Sequence, residues 1–423
     1  MKPRSAKSGS APGKHAAIEL ARGVHWIGAL DPQLRHFDVV LNTERGTSYN
    51  AYLVRGDNGV ALIDTVKAEF AEEYFRRLES VARYDEIRTI VLNHLEPDHT
   101  GALPELLRRS PKAKVYLSAR AKPMLKGLSN VAADVIPVKT GDCVDLGGRT
   151  LSFLTTPWLH WPDTQCSWLA DSGILFSGDA FGSHVCDARL FNDLIDDFNP
   201  EFEYYYAQLM RPFRSHVRGA LDVIEPLPVQ VLAPAHGPVL RSGPEAYVRR
   251  YRQLSGASRA GNVTKTLRVF YVSAYGNTKA MADVVAAGAK SQGVAVSLHD
   301  LEQTDSATFA DLVEDADGIA VGSPTFNGDA VKPVWQLLSS LNTVELRGKW
   351  GAVFGSYGWS GEAVPLVEER LRGLKFRLPL AGVRARLIPT PDELAECRGL
   401  GVDLARYLTG QAEPRVVDLS KSA

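Results

Sequence analysis

Asn93-His94-Leu95-Glu96-Pro97-Asp98-His99-Thr100-Gly101 carries four metal-capable side chains within six residues. It follows Thr89-Ile90-Val91-Leu92, an apolar run rich in β-branched residues that reads as a buried strand. Pro97 disfavours helical geometry at Glu96, so His94, Glu96, Asp98 and His99 are expected on an irregular strand-to-helix loop. On such a loop the four side chains can converge on one point. Residues 102–109 then read as a helix packed behind it. A polar turn alone has no need of the spacing H-x-E-x-D-H.

Three later positions share this setting. His160 follows a strand in Thr156-Pro157-Trp158-Leu159-His160-Trp161-Pro162. Asp179 ends the apolar run of Leu175-Phe176-Ser177-Gly178-Asp179, and His236 sits in Pro234-Ala235-His236-Gly237-Pro238 after another strand. Each lies just past a strand beside Gly or Pro, where layered α/β proteins build their sites. The seven candidates divide into two sets of two histidines and one carboxylate, with one carboxylate left to share. Two histidines and a carboxylate with open positions suit non-haem iron. A pair of metals could equally clamp a hydrolytic water, so the donor set alone leaves hydrolysis open. His184 is expected to support the ligands rather than join them. Tyr49 is open to two readings, approach to the pocket or core packing.

The chain of 423 residues has room for two or three domains, and 45% hydrophobic with 23% charged residues is an ordinary globular composition. A formal net charge of −1 gives no footprint of a nucleic-acid binder. No apolar run is long enough to span a bilayer, so no membrane association is expected. Cys143, Cys166, Cys186 and Cys397 form no C-x-x-C pair, which argues against a zinc ribbon or a disulfide framework and fits a reducing, cytoplasmic setting. Residues 1–18 are basic, small and polar, and read as a disordered tail.

Along the first half, residues 24–30 read as a strand and 48–54 with 60–63 as a hairpin. Residues 68–81 read as a helix, 114–117 as a strand, and 144–154 as two strands around Gly147-Gly148. A second hairpin is expected at 167–170 and 173–176, a long helical region at 202–224, a strand at 229–233 and a helix at 246–254. This first domain spans 19–255, and the small, polar run at 256–264 reads as a linker.

The rhythm beyond it is strict strand–helix alternation, the pattern of a doubly wound parallel sheet of five strands over residues 265–412. Residues 413–423 read as a C-terminal tail. Ser273-Ala274-Tyr275-Gly276-Asn277-Thr278 ends the first of these strands and opens a helix. Its hydroxyls, amide and free helix-start N–H groups are suited to a phosphate. It matches neither a Walker loop nor G-x-G-x-x-G, which disfavours ATP and dinucleotides. Pro324-Thr325-Phe326-Asn327-Gly328 and Ser356-Tyr357-Gly358-Trp359-Ser360-Gly361 follow the third and fourth strands, at the edge where such sheets bind FMN. Trp359, Tyr357 or Phe326 could cover a flavin ring.

Residues 20–255 resemble the metallo-β-lactamase fold, an αββα sandwich, and 265–412 resemble flavodoxin. The two signatures in this order resemble the flavodiiron proteins (A-type flavoproteins). The resemblance implies His94, Glu96 and His160 on one iron, Asp98, His99 and His236 on the other, and Asp179 bridging them. It implies FMN as the second cofactor, and reduction of O2 to water, of NO to N2O, or both. Electrons would come from an external redox protein such as a rubredoxin or a flavin reductase, and the chains would assemble as a head-to-tail homodimer or a dimer of dimers. The chain looks like the minimal form, without fused redox modules. Two other classes stand beside this reading: a zinc hydrolase fused to a flavodoxin domain, and a non-enzymatic flavin carrier or sensor. The usual zinc enzymes carry histidine where this chain has Glu96.

Overall fold

The computed structural model describes residues 16–38, 41–128, 132–256 and 264–412. Most of the expected N-terminal tail, most of the linker and the whole C-terminal tail lie outside the described residues. The chain divides into two compact units between Gly256 and Ala257.

The first unit is built on two sheets whose strands alternate their side chains between two cores. A seven-stranded sheet contains, in spatial order, Ile18–Ala21, Val24–Trp26, Tyr52–Gly56, Gly59–Ile63, Ile87–Val91, Lys114–Ser118 and Asp134–Val138. A five-stranded sheet contains Cys143–Asp145, Thr150–Thr155, Gln165–Leu169, Ile174–Gly178 and Val231–Pro234. Ala61, Ile63 and Val91 of the first sheet share one core with Phe153, Phe176 and Ala233 of the second. Their neighbours Leu62 and Ile90 point the other way, onto Tyr74, Leu78, Leu103 and Leu106 of the helices Ala71–Val81 and Leu103–Arg109. Leu175 and Leu232 likewise face Leu221 and Tyr251 of Arg214–Ile224 and Pro244–Leu254. The period of two residues therefore generates a helix–sheet–sheet–helix sandwich.

Several expectations need correction. Ile18 opens a strand rather than closing a tail. The strand expected over 24–30 is two, Val24–Trp26 and Ala29–Asp31, broken at Gly28. A Cβ there would stand 2.2 Å from the Tyr49 carbonyl oxygen, so the chain can pass only as glycine. The region 202–224 is interrupted: Asn199–Tyr205 runs into a π-helical turn, Tyr206–Met210, then a 3-10 turn, before Arg214–Ile224. Pro212 lacks the N–H that a continuous helix would use.

The second unit has one five-stranded sheet, ordered Ala295–Asp300, Thr266–Tyr271, Gly318–Gly322, Trp350–Tyr357, Val383–Arg386, with every pairing parallel. Numbered along the chain this is the order 2-1-3-4-5 of the flavodoxin-like sheet. Phe270, Val321 and Val353 face one helical layer, while Val269, Ala320 and Ala352 face Asn277–Lys290 and Pro391–Leu408. Those two helices touch backbone to backbone. A Cβ on Gly288 would come 2.2 Å from the Arg398 carbonyl oxygen, and one on Gly401 2.0 Å from that of Val285.

Candidate metal centre and flavin cleft

Asn93 bolts the two sheets together immediately before the first histidine. Its N–H donates to Asp64 Oδ1 (2.7 Å), its amide to the Phe176 carbonyl (3.2 Å), and its Oδ1 accepts from Ser167 Oγ (2.7 Å). The chain then turns sharply. Glu96 is extended (φ −58°, ψ 146°), as a residue before proline must be, but Pro97 starts a helical turn, Pro97–Thr100. Asp98 and His99 are thus on the first turn of a helix and not on an irregular loop. Proline is favoured at a first helical position because its missing N–H has no partner to lose there.

All seven expected metal-binding residues converge and are nearly sealed from solvent, with Glu96 and His160 side chains the most exposed at 12%. Their arrangement has two halves. Asp179 Oδ2 faces His94 Nε2 (3.5 Å) and His160 Nε2 (3.4 Å), and Glu96 Oε2 lies 3.1 Å from both nitrogens. Asp179 Oδ1 faces His99 Nε2 (3.2 Å) and His236 Nε2 (3.4 Å). Asp98 completes this half, 3.4 Å from the first of these nitrogens and 3.1 Å from the second. Candidate ligand atoms of His94, Glu96, His99 and Asp179 lie within 4.8 Å of one another, as do those of Asp98, His99 and His236.

Both Asp98 carboxylate oxygens, His99 Nε2 and Asp179 Oδ2 are buried without a hydrogen-bond partner. Inward-facing orphan atoms of this kind are what a cation would satisfy. The charges are also strongly interlocked. Burial opposes imidazolium, but Asp179 and Glu96 push His160 up to about 10, and Asp179 and Asp98 push His236 up to about 9. Burial opposes ionisation of Asp179 too, yet His99 and His160 hold it well below the usual carboxylate range. The acids thus pull protons onto these imidazoles. Divalent cations would take the place of those protons, because metal ligands must be deprotonated.

Around this cluster the structure adds residues that were not among the site candidates. Asp163 Oδ2 lies 3.0 Å from His94 Nδ1. Tyr205 donates its hydroxyl to Asp179 Oδ1 (3.4 Å). Asp38 hydrogen-bonds to Glu96, and burial followed by the Glu96 charge pushes it up to about 6. Burial raises Asp64 to about 6 as well. Asp163 carries a signal that could have found it, standing three residues after His160 on the same turn. His184 packs its ring against that of His236, with centroids 5.5 Å apart. Its Nδ1 lies 3.0 Å from Thr47 Oγ1 and its ring packs on Phe37 and Tyr205. Tyr49 is buried, packs on Phe70 and makes a T-shaped contact with the ring of His236.

In the second unit, a cleft of about 360 Å³ opens at the carboxyl ends of the strands. Thirteen of the residues expected there line it: Ser273, Ala274, Tyr275, Asn277, Thr278, Pro324, Thr325, Phe326, Asn327, Ser356, Tyr357, Gly358 and Trp359. Gly276, Gly328, Ser360 and Gly361 do not, and Leu387 joins unannounced. Gly276 acts through its backbone, at φ +83°, turning the chain into the helix Asn277–Lys290. Thr278 Oγ1 lies 2.8 Å from Ser356 Oγ, tying two of the three loops together. Tyr275 and Trp359 are 87% and 78% exposed, which no core role explains.

Comparison with known proteins agrees with both halves. A family model described as "ODP family beta lactamase" matches residues 47–237, and the flavodoxin model matches 269–401. The chain is 58% identical over 417 residues to the type A flavoprotein fprA of Rhodobacter capsulatus, covering 97% of this chain and 96% of that one. This chain belongs to the flavodiiron (type A flavoprotein) family. Another relative, the anaerobic nitric oxide reductase flavorubredoxin of Aeromonas hydrophila, is 36% identical over 92% of this chain and 79% of its own. Among solved structures, the flavodiiron protein of Giardia intestinalis aligns at 29% identity with a TM-score of 0.64, over 97% of this chain and 98% of its own. The rubredoxin oxygen:oxidoreductase of Desulfovibrio gigas aligns at 29% and 0.63, over 93% and 99%. Among the described residues of this flavodiiron chain, no helix is long and apolar enough to cross a membrane.

Proposed function

We propose that this flavodiiron protein is an oxidoreductase reducing O2 to water, NO to N2O, or both, at two non-haem iron ions, with electrons relayed through FMN from an external redox protein. The observation that carries the proposal is the division of Asp179. Each of its oxygens faces a separate set of two imidazoles and one carboxylate. His94, Glu96 and His160 would hold one ion, and Asp98, His99 and His236 the other. When bound, such ions supply reducing electrons and Lewis acidity toward a diatomic gas.

The chain's own residues do the rest. The buried setting of the cluster excludes bulk water. The Ser48 carbonyl, 2.8 Å from His236 Nδ1, would accept a hydrogen bond from the N–H there and leave Nε2 free to face inward. In the second unit, the start of Asn277–Lys290 and the Ser273 and Thr278 hydroxyls would hold the FMN phosphate, with Trp359 over the ring. Glu96, in place of a third histidine in the first loop, favours iron over the zinc hydrolase reading. The names of the Desulfovibrio and Aeromonas relatives support oxygen and nitric oxide as substrates and a rubredoxin-type donor. The expected head-to-tail dimer belongs to this same reading. The test is parallel O2 and NO consumption by anaerobically reduced, iron- and FMN-loaded protein. Predominant zinc content with ester or thioester hydrolysis, and no gas consumption, would refute it.

A further inference from the structure

We infer that Asp163 is a positioning residue which fixes His94 for metal binding and makes the His94–Glu96–His160 position the tighter of the two. This rests on the two-metal reading above. A histidine can offer Nε2 to a cation only when its proton sits on Nδ1, and the partner of Nδ1 decides that. For His94 that partner is the Asp163 carboxylate, 3.0 Å away and fully buried. For His236 it is a neutral carbonyl, that of Ser48. A carboxylate behind the imidazole makes it a more basic ligand than a carbonyl does.

Asp163 is itself held firmly. Its Oδ2 also accepts from the N–H of Leu95 (2.8 Å), the residue after His94, and its main-chain carbonyl accepts from Ser118 Oγ (2.7 Å). One oxygen therefore sets both the ring and the backbone of the ligand loop. Its other oxygen, Oδ1, is buried with no hydrogen-bond partner. Bracing the Leu95 N–H requires only one neutral acceptor. A buried charge with a lone oxygen is costly for bracing alone, and its function is explained if it acts through His94 on a cation.

The test is an anaerobic ferrous titration of metal-free, FMN-loaded protein against a competing chelator, for wild type and D163N. Asparagine keeps the shape and an acceptor for Leu95, so a purely bracing role predicts wild-type affinities. The inference predicts that one iron is weakened roughly 10–100-fold while the other and the FMN content are unchanged. The Mössbauer spectrum of the ferrous protein should show one altered iron. If D163N does not fold, stepwise titration of wild type and H94A decides. Wild type should bind in two steps, and H94A should lose the tighter one. Loss of the weaker step, or equal affinities in wild type and D163N, overturns this inference alone. Wild-type protein that takes up no ferrous iron overturns the two-metal reading and this inference with it.

Discussion

Asp179→Asn is the perturbation that bears hardest on the shared-carboxylate geometry. Asp179 reaches the Nε2 atoms of all four histidines, at 3.2 to 3.5 Å, through two different oxygens. Asparagine keeps one carbonyl oxygen, which can serve only one half of the cluster, and it removes a unit of negative charge. At an effective dielectric of about 20, a unit charge about 4 Å away contributes about 4 kcal/mol. That corresponds to roughly three orders of magnitude in affinity, since about 1.4 kcal/mol is tenfold. The variant should therefore retain at most one iron per chain after gel filtration, and the second should bind about a thousandfold more weakly. FMN content, read from flavin absorbance, should be unchanged because the flavin cleft belongs to the other unit. Elemental analysis and a ferrous titration against a chelator provide the assay. D179N that holds two irons with wild-type affinity would refute the bridging assignment.

Two further outcomes follow from the same geometry. Trp359 is 78% exposed beside the flavin cleft, so W359A should leave thermal stability unchanged yet raise the FMN dissociation constant roughly tenfold, about 1.4 kcal/mol. Fluorescence titration of deflavinated protein measures this, and an unchanged constant would remove Trp359 from the flavin. His184 is held down to about 3 by burial and then by the charge of His236. A histidine whose folded pKa is depressed contributes stability that is present above its unfolded value of about 6.5 and lost as pH falls toward the folded value. Between pH 6.5 and 5 that loss is about 2 kcal/mol, so the metal-free H184Q protein should show a flatter decline of Tm over this window. Parallel pH profiles of wild type and variant would contradict it.

How much of this was legible beforehand depends on how each residue carries its information. The candidate metal-binding residues were readable because each stands just past a strand in a recognisable local setting. The doubly wound sheet was readable because its strands are short apolar runs separated by helices of regular period. Asp134–Val138 was not, because Pro137 interrupts its pattern. As the outermost strand of its sheet, beside Lys114–Ser118, it tolerates a residue without an N–H. The helical turn at Pro97–Thr100 escaped because proline restricts its predecessor while favouring a helix that starts at itself. Asp38 and Tyr205 are distant in sequence from what they touch, and single acidic or aromatic residues carry no periodic signal, whereas Asp163 is marked only by its place on the His160 turn. Leu387 lines the flavin cleft only because the last strand ends beside it.

The central claim is that the flavin supplies electrons to a metal pair that consumes a gas. It is tested most directly by reducing the FMN-loaded protein anaerobically, with and without two equivalents of iron, and adding O2 or NO while following flavin reoxidation and gas concentration together. The account predicts that iron-loaded protein consumes at least one gas with rapid flavin reoxidation, and that iron-free protein and H94A do so far more slowly. Equal rates with and without iron for both gases would contradict it.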